Sequence, residues 1–177
     1  PFKEKIISYI DELSPEADTT KSVNTIFLNN GKINGHNTDI YGFEKALQNT
    51  KFNTLNKKIF ILGAGGVVPS IIVALNKMKV SEITLSNRTK NKAETLKNLY
   101  KHLNIVDWGE IPDFDMIINA TSVGLNKQES LNLDFSKIKD KFFYDVIYNP
   151  NETDFLKNAK KLKNTIENGK KMFVYQA

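Results

Sequence analysis

The chain has 177 residues, 40% hydrophobic and 25% charged, with a formal net charge of +5, enough for one domain or one domain plus part of another. It has no cysteine, which excludes disulfides and thiolate chemistry, and no apolar run near the roughly 20 residues that cross a bilayer, so no membrane partner is expected. Its lysines are scattered, as in "KNAKKLKN", with few aromatics between them; the basic balance reads as a solvated surface rather than a nucleic-acid interface.

Residues 2 to 13 carry Phe2, Ile6, Ile7, Ile10 and Leu13 at helical spacing and predict a helix. "SPEADTT" breaks that pattern. "VNTIFLNNGKINGHNTD" reads as a hairpin turning at Asn-Asn-Gly, and "DIYGFEKALQN" as a helix capped by Thr38 or Asp39. "TKFNTLN" is a polar linker. From Lys57 onward strands alternate with helices. "KIFIL", "EITLS", "DFDMIINA" and "KFFYDVIYN" are strands, and "KNTIENG" holds a last short one. "VVPSIIVALNKM", "KNKAETLKNLYKHL" and "NETDFLKNAKKL" are helices, with Pro69 tolerated in a first turn. The alternation predicts an α/β fold with a doubly wound parallel sheet. His36 and His102 match no metal spacing, and no metal site is expected.

"ILGAGGVVPS" is a strand, a glycine turn and a helix start. Gly63, Ala64, Gly65 and Gly66 permit a tight turn and close approach to a pyrophosphate, which the helix N-terminus would bind; Val68 replaces the third glycine of the full fingerprint. Asn87 follows Gly63 by 24 residues (87 − 63), where an NAD site carries a carboxylate for the ribose hydroxyls. This chain places Asn87, Arg88 and Thr89 there, with Lys90 and Lys92 beyond. A planar cation suits a 2′-phosphate, so the residues point to NADP rather than NAD. Helix capping by Asn87 and Thr89 is the plainer alternative, and is compatible with it.

These two motifs, in this order, resemble the shikimate dehydrogenase family. "PFK", "SVNT" and "GHNTDIYGF" are similar to its substrate-side segments, "GAGGVVPS" to its glycine turn, and "SNRTKNK" to its 2′-phosphate segment. "INATSVGL", "YDVIYNPNETDFL" and "GKKMFVYQA" extend the resemblance over nearly the whole chain. The resemblance implies a cytoplasmic enzyme of aromatic amino-acid biosynthesis that reduces 3-dehydroshikimate to shikimate with NADPH. It implies Lys3 and Asp39 as the catalytic pair. Asn24, Asp39, Tyr148 and Gln176 would join Lys3 in holding the small-molecule substrate. Thr121 and Gly169 would border the nicotinamide, and Lys92 would stand near the 2′-phosphate. It further implies a Rossmann-like NADP domain over 51–168, part of a smaller α/β substrate domain over 1–50, and a helix over 169–177 returning to it. The family's chains extend beyond both ends of this sequence, and the preceding segment carries serines that contact the substrate carboxylate. Two other readings are a quinate/shikimate dehydrogenase using NAD and a truncated NADP-binding module without catalysis.

Overall fold

The first segment departs from the helical expectation. In the computed structural model, which describes residues 2–126 and 129–177, Lys5–Tyr9 is a short 3₁₀ turn and Glu12–Leu13 is strand β1. The backbone is drawn out by pairing: Asp11 N–H donates to Ile33 O at 2.9 Å and Ser14 N–H to Gly35 O at 2.9 Å. The residues read as a break instead form helix α1 (Pro15–Thr20), in which Ser14 Oγ accepts from Ala17 N–H at 3.2 Å and Pro15 stands in the first turn. Strands β2 (Thr25–Asn29) and β3 (Lys32–His36) make the expected hairpin, its turn using the positive φ of Asn30 and Gly31. The three strands form one sheet in the order β1-β3-β2.

Helix α2 (Asp39–Gln48) leads to a second sheet. Its elements are β4 (Lys58–Leu62), α3 (Val68–Lys77), β5 (Glu82–Ser86), α4 (Lys90–Leu99), β6 (Asn104–Ile105), β7 (Met116–Asn119), β8 (Phe142–Asp145), α5 (Asp154–Lys161), β9 (Thr165–Glu167) and α6 (Lys170–Tyr175). All six strands are parallel, in the order β6-β5-β4-β7-β8-β9. The uninterrupted apolar run of β4 follows from burial on both faces. Ile59 and Ile61 join the cluster containing Phe43, Ile71 and Tyr144, while Phe60 and Leu62 join the one containing Phe114, Phe143 and Leu156. Strand order reverses between β4 and β7, the point where open α/β sheets leave a crevice beyond the carboxyl ends of their strands.

Helix α6 closes back on α2, and Gly169 sets its approach. A Cβ at Gly169 would lie 2.0 Å from Val146 O, a backbone atom with no room to yield. Gly169→Ala should therefore lower stability by about 1–3 kcal/mol or more. A thermal unfolding scan checks this; an unchanged midpoint would mean that the α6 approach is looser than described.

Candidate active site

Lys3, Asn24 and Asp39 come from three separate segments, and backbone pairing brings those segments together. Val23 N–H donates to Lys3 O at 2.8 Å, and Asn24 N–H to His36 O at 3.0 Å. Asp39 opens α2 and is 1% exposed. One of its carboxylate oxygens is paired with Lys3 Nζ; the other accepts from Asn24 Nδ2 at 2.9 Å. The carboxylate thus takes no part in capping. The helix N-cap is Thr38, and Asn37 Oδ1 accepts the Asp39 N–H at 3.0 Å. Lys3 is half-buried, so its ammonium is fixed by Asp39 and still reachable.

Gln176 belongs to the same cluster through its backbone: the Thr38 hydroxyl donates to Gln176 O at 2.7 Å. Tyr148 is exposed and stacks on Phe173 of α6, ring centroids 4.6 Å apart. Neither Phe173 nor Asn37 was expected from the sequence. Buried Asn37 holds the two sheets together, its Nδ2 lying 2.9 Å from Ser22 O and 3.1 Å from Ser70 Oγ on α3.

The glycine turn follows β4 at the reversal point. Gly63 has φ +106, and a Cβ there would lie 2.8 Å from Ala120 O, so the turn crosses directly over the end of β7. Ala64 and Gly66 are half-buried and Gly65 is exposed. The α3 N-terminus has no side-chain cap, which leaves N–H groups open for an anion. A Cβ at Gly66 would lie 4.0 Å from Lys3 Cδ, which places the catalytic candidate beside the turn. Lys3, Lys5, Gly66 and Val67 line a cleft of about 330 Å³ there. A larger hollow of about 830 Å³, between residues 129–136 and α5, lies beyond Phe143 on the other face of the sheet, away from the Lys3–Asp39 pair.

Asn87, Arg88 and Thr89 follow β5, across the turn from β7. Thr89 occupies the α4 N-cap position but makes no cap hydrogen bond, and Asn87 Nδ2 donates to Thr89 O at 2.8 Å. The capping alternative is therefore not what occupies these side chains. Arg88 and Lys92 are exposed, whereas Lys90 is paired with Asp107 at 2.6 Å. The set suits a 2′-phosphorylated dinucleotide: an uncapped helix start for the pyrophosphate, then a forked cation where NAD sites carry a carboxylate.

Beyond β7 and β8 lies a network that sequence reading did not single out. Fully buried Asp145 accepts from Asn119 Nδ2 (3.2 Å), Ile147 N–H (3.0 Å) and the Thr153 hydroxyl (2.6 Å). Burial pushes the Asp145 carboxyl up to about 6, although those donors pull the other way. Below about pH 4 folded and unfolded chains both keep this proton; as pH rises to about 6 the unfolded chain releases it first, so the contribution to stability falls, by about 3 kcal/mol. The stability of wild type minus that of Asp145→Asn should therefore decline over this window, as measured from denaturation midpoints at each pH. A difference that grows with pH would show that the three donors outweigh burial.

Thr121 stands at the end of β7 beside the glycine turn. Its hydroxyl donates to Asn119 Oδ1 at 2.7 Å and accepts from Val123 N–H at 3.0 Å, while its methyl lies 3.1 Å from the Cβ position of Gly63. It shapes the loop against the glycine turn, and its polar atom is engaged within that loop.

The family profile described as shikimate / quinate 5-dehydrogenase matches residues 44–154. The chain is 58% identical, over its full length and 67% of the relative's, to a protein from Pelagibacter ubique named shikimate dehydrogenase (NADP(+)). It superposes on the crystal structure of shikimate dehydrogenase from Aquifex aeolicus with TM-score 0.92 at 37% identity, covering 99% of this chain and 66% of that one. It also superposes on the Thermus thermophilus shikimate 5-dehydrogenase solved with NADP(H) and shikimate, with TM-score 0.89 at 30% identity, covering 99% of this chain and 67% of that one. The chain thus spans about two thirds of the length of the relatives it matches.

Proposed function

The chain belongs to the shikimate/quinate 5-dehydrogenase family, and from that premise we propose that it serves the reversible NADPH-dependent reduction of 3-dehydroshikimate to shikimate, a step of aromatic amino-acid biosynthesis in the cytoplasm. The observation that carries this reading is the Lys3–Asp39 pair set beside Gly66. Residues 1–50 act as part of the substrate domain, residues 51–168 as the NADP domain, and residues 169–177 as the helix that returns to the substrate side.

Gly63, Ala64, Gly65 and Gly66 with the α3 N-terminus would hold the pyrophosphate. Asn87, Arg88, Thr89 and Lys92 would hold the 2′-phosphorylated ribose, and Thr121 and Gly169 would border the nicotinamide. The bound cofactor supplies the hydride. Reduction of a ring carbonyl places negative charge on its oxygen. The Lys3 ammonium sits where a cation can stabilise that charge and deliver a proton to the oxygen. Asp39 orients the ammonium, and Asn24 holds the second carboxylate oxygen. Asn24, Asp39, Tyr148 and Gln176 supply the polar groups that would grip the ring hydroxyls.

Calorimetric titration of the full-length protein tests the assignment. NADP and shikimate should each bind. Binding of NADP without shikimate would favour a nucleotide-binding module, and preferential binding of NAD would favour the quinate/shikimate dehydrogenase reading.

A further inference from the structure

The geometry points to Asp145 as a positioning residue, which fixes the orientation of the Asn119 amide and thereby the shape of the 120–124 loop against the nicotinamide half of the cofactor. The inference rests on the cofactor placement proposed above.

The starting observation is the position of Asp145 and Asn119. They end neighbouring strands, stand opposite each other in register, and are both fully buried. An ionised carboxylate accepts hydrogen bonds and donates none. It therefore forces Asn119 to present its NH₂ group, which donates to Asp145 Oδ1 at 3.2 Å and to Val123 O at 3.1 Å. The amide oxygen is then turned toward Thr121, where it accepts from the N–H at 3.1 Å and from the hydroxyl at 2.7 Å. The Thr121 hydroxyl, once committed as a donor, accepts from Val123 N–H at 3.0 Å and closes the loop. Each bond in this chain sets the donor and acceptor sense of the next.

The second carboxylate oxygen extends the same control to the neighbouring loop. It accepts from the hydroxyl of Thr153, the N-cap residue of α5. The Thr153 methyl would lie 3.0 Å from a Cβ at Gly124, so the end of the 120–124 loop rests on it. Ile147 N–H donates to Asp145 Oδ1, and the Ile147 carbonyl accepts from Gly169 N–H at 3.2 Å. One buried carboxylate therefore joins the segments that carry Thr121, Tyr148 and Gly169.

Asp145→Asn tests this on the full-length protein. It replaces a group that accepts at both oxygens by one that must also donate, so at least one of the links to Asn119, Ile147 and Thr153 is lost or reversed with almost no change in side-chain volume. The readout is the affinity for NADP compared with that for adenosine 2′,5′-bisphosphate, which carries the 2′-phosphate but no nicotinamide. NADP should bind about tenfold more weakly, the scale of one buried hydrogen-bonded link, while adenosine 2′,5′-bisphosphate stays within about twofold of wild type. Thr153→Val keeps the carboxylate and hence the Asn119 orientation, and should weaken NADP by less than Asp145→Asn does. If Asp145→Asn does not fold, Asp145→Ala is read by the same ratio. Equal losses for both ligands would reduce Asp145 to a structural group, and an unchanged NADP affinity would show that Asn119 needs no orienting partner; either result overturns the assignment. A wild-type protein that binds neither ligand would instead remove the cofactor placement on which the inference rests.

Discussion

Lys3→Ala should lower the turnover of the full-length enzyme by about 10²–10⁴, the range for a lost general acid–base group. In the proposed mechanism the residue provides the proton-bearing charge, held by Asp39 and Asn24. Affinity for NADP should fall far less, because the residues proposed to hold the pyrophosphate and 2′-phosphate follow strands of the second sheet and Lys3 only borders the glycine turn. That split matters, because Lys3→Ala also leaves Asp39 buried with Asn24 as its remaining side-chain partner, and an uncompensated buried charge costs about 3–5 kcal/mol of stability. A merely unfolded fraction would depress turnover and the amount of bound NADP together. Asp39→Asn should also slow turnover, since the ammonium loses its anchor. The double variant should lose less than the product of the two single losses, because the pair acts as a unit. Steady-state kinetics on all three variants decides it: losses that simply multiply would mean that Lys3 and Asp39 act independently.

Arg88→Ala should weaken NADP by roughly tenfold to a hundredfold, the equivalent of about 1.5–3 kcal/mol for one charge-assisted contact, and should leave NAD nearly untouched. Since Lys90 is paired with Asp107, Arg88 and Lys92 are the cations best placed in this stretch for a 2′-phosphate. Parallel titrations with both cofactors check the effect. Equal losses for NADP and NAD would place Arg88 at a part of the site the two cofactors share.

The second sheet was legible in the sequence because buried parallel strands are written as short apolar runs, and "KIFIL" is one. The first segment was misread for a related reason. Ile6, Ile7 and Ile10 fit helical spacing, but the backbone of residues 11–14 is held by β3, a partner more than twenty positions away that local spacing does not reveal. Helix α1 was missed although its signals were present: Ser14 stands at the cap and Pro15 in the first turn, but six residues are too few for an apolar period. At the site, the glycine turn and "NRT" carry a chemical meaning that can be read directly. Lys3 and Asp39 cannot be recognised that way, because a lysine and an aspartate become a pair only when the fold brings them together across 36 positions. The Asp145 network was hidden likewise: one aspartate, one asparagine and one threonine gain their roles from strand register and burial.

Turnover by the full-length enzyme tests the central claim most directly. Shikimate and NADP together should yield NADPH, with NAD a far poorer acceptor and with the activity lost in Lys3→Ala. NADP that binds tightly while no NADPH forms from shikimate would contradict the dehydrogenase assignment and leave a nucleotide-binding module in its place.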